Sequence, residues 1–81
     1  MKIKIKTFAT IKESFGFDEK ELIVSDGISV REVIRDLEMN YPSLKSIEGI
    51  LLYAVNEEYC PVETLLADGD ILAIFPPVSG G

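Results

Sequence analysis

The sequence contains no histidine and no tryptophan, and it has a single cysteine, Cys60. Without histidine the chain can form no Ser–His or Cys–His pair and has no histidine general base. One cysteine also excludes an internal disulfide framework and any zinc or iron–sulfur site built from several cysteines. We therefore expect no metal site in this chain and no catalytic centre of these kinds.

Long apolar runs are missing as well. The N-terminus from Met1 to Lys6 alternates charged with apolar residues, so it lacks the continuous apolar region of a signal peptide. No stretch approaches the roughly 20 apolar residues that a membrane span requires. These absences predict a soluble, cytoplasmic protein that does not act at a membrane.

Basic residues are absent after Lys45, and the formal net charge of the chain is -6. Nucleic acid is excluded as a partner, because its phosphates require a basic binding face. The acidic C-terminal half could steer the chain towards a basic protein, or it could serve solubility alone.

The residues that are present suit one small globular domain, because 47% of the 81 residues are hydrophobic. Alternation with a period of two predicts a strand over residues 2–8, with Ile3 and Ile5 on one face and Phe8 with the lysines on the other. Three further strands are predicted over residues 19–24, 50–56 and 71–75. A capping box at Thr10 to Glu13 predicts a short helix that ends at Gly16.

A longer helix is predicted between the second and third strands. Ser29 and Glu32 have the spacing of a capping box, and Pro42 ends the helix. An apolar stripe at helical spacing, expected to pack on the sheet, comprises Val30, Val33, Ile34, Leu37 and Tyr41. The element order is that of an α+β domain. If the first and last strands pair in the middle, it is a β-grasp (ubiquitin-like) domain over residues 1–75, with a mixed sheet of about four to five strands packed on one main helix.

The tail, residues 76–81, is predicted to be flexible and narrow. Pro76 and Pro77 stop the last strand, because neither can donate a hydrogen bond to a neighbouring strand. They are followed by Val78, Ser79, Gly80 and Gly81. The two glycines place no Cβ atom near the terminal carboxylate, so this end could thread a tunnel that is closed to side chains.

The carboxyl terminus of Gly81 is the group left for covalent chemistry. Cys60 has no neighbouring base, and Asp68 with Asp70 fits a simple turn before the last strand. A carboxylate is a poor electrophile until it is activated, for example as an acyl-adenylate made from ATP. The chain has no Gly-rich phosphate-binding loop, so another protein would have to hold the ATP.

The segment from Asp68 to Gly81 resembles the small subunit of molybdopterin synthase. The tail of that family, Pro-Pro-Val-Ser-Gly-Gly after an Asp-Gly-Asp turn and an apolar strand, is matched at residues 76–81. The likeness spans nearly the whole chain, since it also includes Ala54-Val55-Asn56, Glu58-Tyr59, Asp26-Gly27 and Phe8-Ala9.

This resemblance implies a sulfur carrier of the β-grasp type. Gly81 would be adenylated by a ubiquitin-activating-like adenylyltransferase, which uses ATP, and would then carry sulfur as a thiocarboxylate. The tail would insert into the large subunit, in a heterotetramer of two small and two large subunits. Sulfur would pass there to a cyclic pyranopterin precursor to form the dithiolene of molybdopterin. The chain itself would bind no cofactor and would be a sulfur-donating, non-catalytic subunit.

Three other interpretations remain open. The chain could be a sulfur carrier for thiamine or tRNA thiolation, although the Pro-Pro-Val-Ser ending disfavours this. It could be a ubiquitin-like protein modifier, whose activated terminus is transferred to a lysine, or a binding module with a coincidental Gly-Gly end. We predict that Phe8 and Phe75 contact the large subunit and the adenylyltransferase in turn, because exposed aromatic residues beside a reactive tail are typical binding hot spots. Alternatively, Phe75 could close the end of the core.

Overall fold

The computed structural model describes residues 1–8, 16, 18–42 and 51–76. These residues form five strands and one helix: β1 (Lys2–Thr7), β2 (Glu19–Ile23), α1 (Val30–Asn40), β3 (Leu52–Val55), β4 (Glu58–Tyr59) and β5 (Ile71–Phe75). The short helix predicted after Thr10 lies outside the described residues, except for Gly16. In the part of the chain that is described, no helix is long and apolar enough to cross a membrane.

The strands form one mixed sheet in the order β2-β1-β5-β3-β4. β1 and β5 pair in parallel, with Lys4 beside Ile71 and Thr7 beside Ile74. The other neighbouring strands pair antiparallel. The first and last strands therefore lie side by side within the sheet, which confirms the predicted β-grasp arrangement.

The helix α1 begins at the predicted capping box. The backbone N–H of Glu32 donates to the Ser29 hydroxyl over 3.2 Å, and the Ser29 N–H donates to the Glu32 carboxylate over 3.1 Å. The Ser29 hydroxyl also donates to the Glu32 carboxylate over 3.0 Å, and the two bonds from Ser29 to this carboxylate, aided by Arg35, hold the pKa of Glu32 below its ordinary value. The reciprocal bonds satisfy N–H groups that the first helical turn leaves without intrahelical partners.

The core lies between α1 and one face of the sheet. The helix contributes Val30, Val33, Ile34 and Leu37, and Tyr41 packs against them as a half-buried residue. The sheet contributes Ile3 and Ile5 from β1, Leu72 and Ile74 from β5, and Tyr53 from β3. Because burying one large aliphatic side chain stabilises a domain by about 1.5–3 kcal/mol, this layer accounts for much of the stability of so small a fold.

Two details differ from the sequence-based predictions. The segment from Glu57 to Pro61, for which no strand was predicted, contains the edge strand β4, which at two residues is too short to show a periodic pattern. Glu38, which is not a member of the predicted apolar stripe of α1, is only 9% exposed.

Candidate functional site at the start of the C-terminal tail

The sheet face opposite α1, called here the open face, has no described helix or strand packed on it. Side chains of β1 alternate between the two faces, so Ile3, Ile5 and Thr7 are buried while the lysines between them are exposed or half-buried. Lys4 pairs with Glu19 of β2 at 3.5 Å. Such an exposed ion pair contributes at most about 1 kcal/mol, so it shapes the charge of this face more than the stability of the fold.

Three aromatic side chains, Phe8, Tyr59 and Phe75, form a cluster on the open face. The rings of Phe8 and Phe75 are stacked, with centroids 4.7 Å apart and planes 10° from parallel. The Tyr59 ring lies 5.7 Å from that of Phe75 at an angle of 48°. Phe8 remains 40% exposed and Tyr59 70% exposed, so this aromatic cluster is a surface feature and not part of the core.

The register between β1 and β5 explains why the two phenylalanines meet. Thr7 pairs with Ile74, and each is buried in the core layer. The next residue of each chain segment, Phe8 or Phe75, must then face the other way, because successive side chains of a strand alternate. The alternative that Phe75 closes the core is therefore excluded: Leu72 and Ile74 fill the core positions of β5.

A concavity of about 640 Å³ lies beside the aromatic cluster. Ala54 and Ala73, which are paired across β3 and β5, line it together with the aromatic rings. Because these two alanines are small, the centre of the open face is recessed between larger neighbours. Lys6 and Glu57 place one charge of each sign in the lining.

The tail leaves the domain directly from this surface. β5 ends at Phe75, and Pro76 follows as a half-buried residue outside the strand. The other predicted tail residues, Pro77, Val78, Ser79, Gly80 and Gly81, lie outside the described residues. What the structure places together is therefore Phe8 and Phe75, the pair predicted to bind partners, and the first residue of the tail.

The Asp68-Gly69-Asp70 turn directly precedes β5 and is hydrogen-bonded to β1 and to the β3–β4 hairpin. The Asp68 carboxylate accepts a hydrogen bond from the backbone N–H of Lys2 over 2.7 Å, and the Asp70 carboxylate accepts one from the Asn56 side chain over 2.9 Å. Gly69 has a φ of +86°, a conformation that favours glycine. Both carboxylates thus serve the turn, and no cluster of three or more potential metal ligands occurs among the described residues.

Cys60 directly follows Tyr59, and it is half-buried with its side chain packed against the core. Its backbone N–H donates to the carbonyl of Tyr53 over 3.1 Å. Its side chain lines a second cavity of about 490 Å³ between α1 and the β3–β4 hairpin, near Arg31 and Arg35. Arg31 is paired with Glu63 at 2.6 Å, so this cavity has a partly neutralised rim.

Sequence reasoning missed Tyr59 and Glu57 as members of this site. Both belong to the β3–β4 hairpin, which the sequence did not predict. An apolar run that ends at Val55, two turn residues and the aromatic Tyr59 together form a hairpin signal, but the turn lacks the glycine that usually marks it. Asn56 and Glu57, the two turn residues, both adopt positive φ angles of 50° and 72°.

Comparison with known proteins matches this chain to one family over nearly its full length. The family model described as "ThiS family" matches residues 5–81. The molybdopterin synthase sulfur carrier subunit of Chlamydomonas reinhardtii is 34% identical over 83 residues, covering 100% of both chains. The subunit of the same name from Arabidopsis thaliana is 32% identical over 81 residues, covering 100% of this chain and 84% of the relative.

Solved structures support the same assignment. The small archaeal modifier protein 1 of Methanosarcina acetivorans superimposes with a TM-score of 0.83 at 32% identity, covering 99% of this chain and 96% of that protein. A chain from the complex of subunits 1 and 2 of the molybdopterin-converting factor of Helicobacter pylori superimposes with a TM-score of 0.70 at 27% identity, covering 100% of both chains. The chain therefore belongs to the ThiS family and is a relative of the sulfur carrier subunits of molybdopterin synthase.

Proposed function

We propose that this chain is the sulfur carrier subunit of a molybdopterin synthase and that Gly81 carries the sulfur as a C-terminal thiocarboxylate. One structural observation supports this beyond the family: the aromatic cluster lies at the start of the tail. A partner that binds the open face would therefore also receive the tail. The chain itself binds no cofactor in this proposal, and a partner adenylyltransferase holds the ATP.

The chemistry takes place in two stages at the Gly81 carboxyl group. In the first, a carboxylate oxygen of Gly81 attacks the α-phosphate of ATP and pyrophosphate leaves. A donor at the oxidation level of sulfide then attacks the acyl-adenylate, AMP leaves, and the thiocarboxylate forms. In the second stage, the thiocarboxylate sulfur attacks a carbon of the cyclic pyranopterin precursor and displaces an oxygen-bonded leaving group. Water then cleaves the resulting thioester at the Gly81 carbonyl, which leaves the sulfur on the precursor and restores the carboxylate. Two such transfers supply the two sulfurs of one dithiolene.

Docking on the open face would set how far the reactive end can reach. Five residues follow Pro76, and a fully extended segment of this length spans about 17 Å. The pocket of the large subunit that holds the precursor should therefore lie within that distance of the point where Pro76 leaves the domain. The partner in the Helicobacter pylori complex, subunit 2 of the molybdopterin-converting factor, supports a large-subunit partner here. The assembly that we propose contains two small and two large subunits.

Mass spectrometry of the intact chain tests the first stage. The purified chain, the adenylyltransferase, ATP and a sulfide donor should yield a product whose mass increase equals replacement of one oxygen by sulfur. Addition of the large subunit and the precursor should return the mass to its original value and produce molybdopterin. A chain that never gains this mass with its own adenylyltransferase would contradict the proposal.

Variants of the last two residues separate sulfur transfer from folding. Deletion of Gly81, or addition of one residue after it, should abolish sulfur transfer, because the reactive carbonyl would be displaced by about 3.5 Å. The free energy of unfolding should change by no more than about 0.5 kcal/mol. Gly80→Phe should fold normally but fail in charging or transfer, and normal activity of this variant would contradict a narrow tunnel for the tail.

A second candidate function is protein modification. The likeness to small archaeal modifier protein 1 supports it, because that relative matches this chain over 99% of its length. The same adenylated Gly81 would then form an isopeptide bond with a lysine. Incubation of the charged chain in extract of its own organism, followed by mass spectrometry of Gly-Gly remnants on lysine, distinguishes the two functions.

A further inference from the structure

The turn between β3 and β4 holds a glutamate in a conformation that favours glycine. Val55 pairs with Glu58, so Asn56 and Glu57 form a two-residue hairpin turn. Both turn residues have positive φ angles, of 50° and 72°, which match the type I′ turn. Asparagine followed by glycine is the favoured pair for this turn, because L-residues with a Cβ atom are strained in the left-handed region.

Hydrogen bonds to the neighbouring strand account for the conformation of Asn56. Its side chain donates to Asp70 over 2.9 Å and accepts from the backbone N–H of Ile71 over 3.0 Å. Its backbone N–H also donates to the carbonyl of Ile71 over 2.9 Å. Asn56 therefore joins the turn to the start of β5.

Nothing comparable accounts for Glu57. Its carboxylate makes no hydrogen bond and no ion pair with the described residues, and its side chain is exposed. It instead lines the concavity of the open face, alongside Tyr59 and Phe75. The backbone of Glu57 is strained, and its carboxylate makes no bond with the described residues that would offset the strain. Such a residue beside a candidate binding surface calls for a functional explanation.

We propose that Glu57 is a specificity-determining contact on the open face and pairs with a basic side chain of the large subunit. The inference rests on the proposed function, because it assumes that the large subunit binds this face. Charge supports it: the chain carries a net charge of -6, and no lysine or arginine follows Lys45. A basic partner side chain at the rim of the apolar contact would be attracted and correctly oriented by Glu57.

The neighbouring residue Glu58 provides a matched control. Glu58 is also an exposed acidic residue. It lies in β4 and pairs with Val55 of β3, whereas Tyr59 pairs with Ala54, which lies on the open face. Because alternate residues of a strand face opposite ways, the Glu58 side chain lies on the other side of the sheet from the aromatic cluster. Glu57→Gln and Glu58→Gln therefore remove the same charge from adjacent residues on different surfaces.

Titration calorimetry with the large subunit from the same organism tests the inference. At low ionic strength Glu57→Gln should raise the dissociation constant about fivefold, in line with a partly exposed ion pair of about 1 kcal/mol. Glu58→Gln should change it less than twofold. In 1 M salt, where the screening length falls to about 3 Å, Glu57→Gln should bind like the unaltered chain.

Glu57→Gly adds an independent readout. This variant should unfold at a higher temperature than the unaltered chain, because glycine relieves the strain of the turn, and it should still bind the large subunit less tightly. Normal binding of both Glu57 variants, or an equal loss in Glu57→Gln and Glu58→Gln, would overturn the inference while leaving the proposed function intact. Failure of the unaltered chain to bind the large subunit at all would overturn both.

Discussion

Phe75 is the last residue of β5 and directly precedes the tail. Among the single residues of the chain, we expect its ring to contribute most to partner binding. It contacts both Phe8 and Tyr59, and it directly precedes Pro76. An aromatic anchor of this kind commonly contributes 2 kcal/mol or more to a protein interface, which is roughly a 30-fold change in affinity.

We expect Phe75→Ser to weaken binding to the large subunit by about 30-fold or more in titration calorimetry. The domain should remain folded, because loss of the ring contacts removes only about 0.5–1.5 kcal/mol beyond the lost surface burial. Met39→Ser is the matched control, since Met39 is an 82% exposed apolar residue on α1. If Phe75→Ser unfolds the chain while the remaining folded fraction binds normally, the aromatic cluster is structural and not a binding surface.

Cys60 bears the only thiol of the chain, and it is half-buried against the core. We expect Cys60→Ala to gain the thiocarboxylate and deliver sulfur at the normal rate, because in the proposed function the sulfur is carried on Gly81. Intact mass before and after transfer measures both steps. A folded Cys60→Ala variant that no longer delivers sulfur would make Cys60 a sulfur relay.

At the scale of single elements, α1 depends on its capping box, and this dependence should vary with pH. Hydrogen bonds from Ser29 lower the pKa of Glu32 in the folded chain. The resulting stability is fully present above the unfolded-state pKa of Glu32 and is lost as the pH falls through the lowered, folded-state pKa.

We therefore expect the free energy of unfolding to fall more steeply on acidification in the unaltered chain than in Glu32→Gln. Urea denaturation between neutral pH and the acid range below the ordinary pKa of glutamate measures the difference. Asp36→Asn, on the same helix but outside the capping box, should retain the steep dependence. Parallel curves for the unaltered chain and Glu32→Gln would show that the capping box does not contribute to acid sensitivity.

Elements with strong local patterns were predictable from the sequence. The alternation of Ile3 and Ile5 with lysines defined β1, and the capping box with its apolar stripe defined α1. The strand β4 was not predictable, because a pair of residues carries no period and its turn contains Glu57 in place of glycine.

The sequence alone could not establish on which face of the sheet Phe75 lies, so the aromatic cluster was predictable only in part. Ile71 to Phe75 are all apolar, so the sequence alone does not say which of them face α1. The answer depends on pairing with residues far away in the chain: Leu72 lies beside Ile5, and Ile74 beside Tyr53. Only this register places Phe75 next to Phe8, and a long-range register is not encoded in any local pattern.

At the scale of the whole molecule, the aromatic cluster is the surface that we assign to both proposed partners. In the proposed function, the adenylyltransferase must reach Gly81 to charge it, and the large subunit must reach the same residue to use the sulfur. If both bind the aromatic cluster, they cannot bind at the same time.

We accordingly expect saturating large subunit to inhibit charging by the adenylyltransferase in proportion to the fraction of carrier that it binds. The rate of thiocarboxylate formation, followed by intact mass, measures this inhibition. Inhibition should be relieved when Phe75→Ser weakens the complex, and an unrelated protein at equal concentration should have no effect. Charging at the full rate in the presence of saturating large subunit would show that the two partners use different surfaces.

The parallel pairing of β1 with β5 also has a consequence for how the domain is made. Lys4 lies beside Ile71, so the middle of the sheet joins segments from opposite ends of the domain. Contacts of such high sequence separation require closure of a long loop and slow folding relative to helical proteins of similar size. β5 is the last of the described strands to be synthesised. During translation the sheet therefore cannot close until β5 has been made, although β1, β2 and α1 are complete earlier. An unfinished carrier thus lacks both the binding surface and the tail, and a truncated translation product should not compete for either partner.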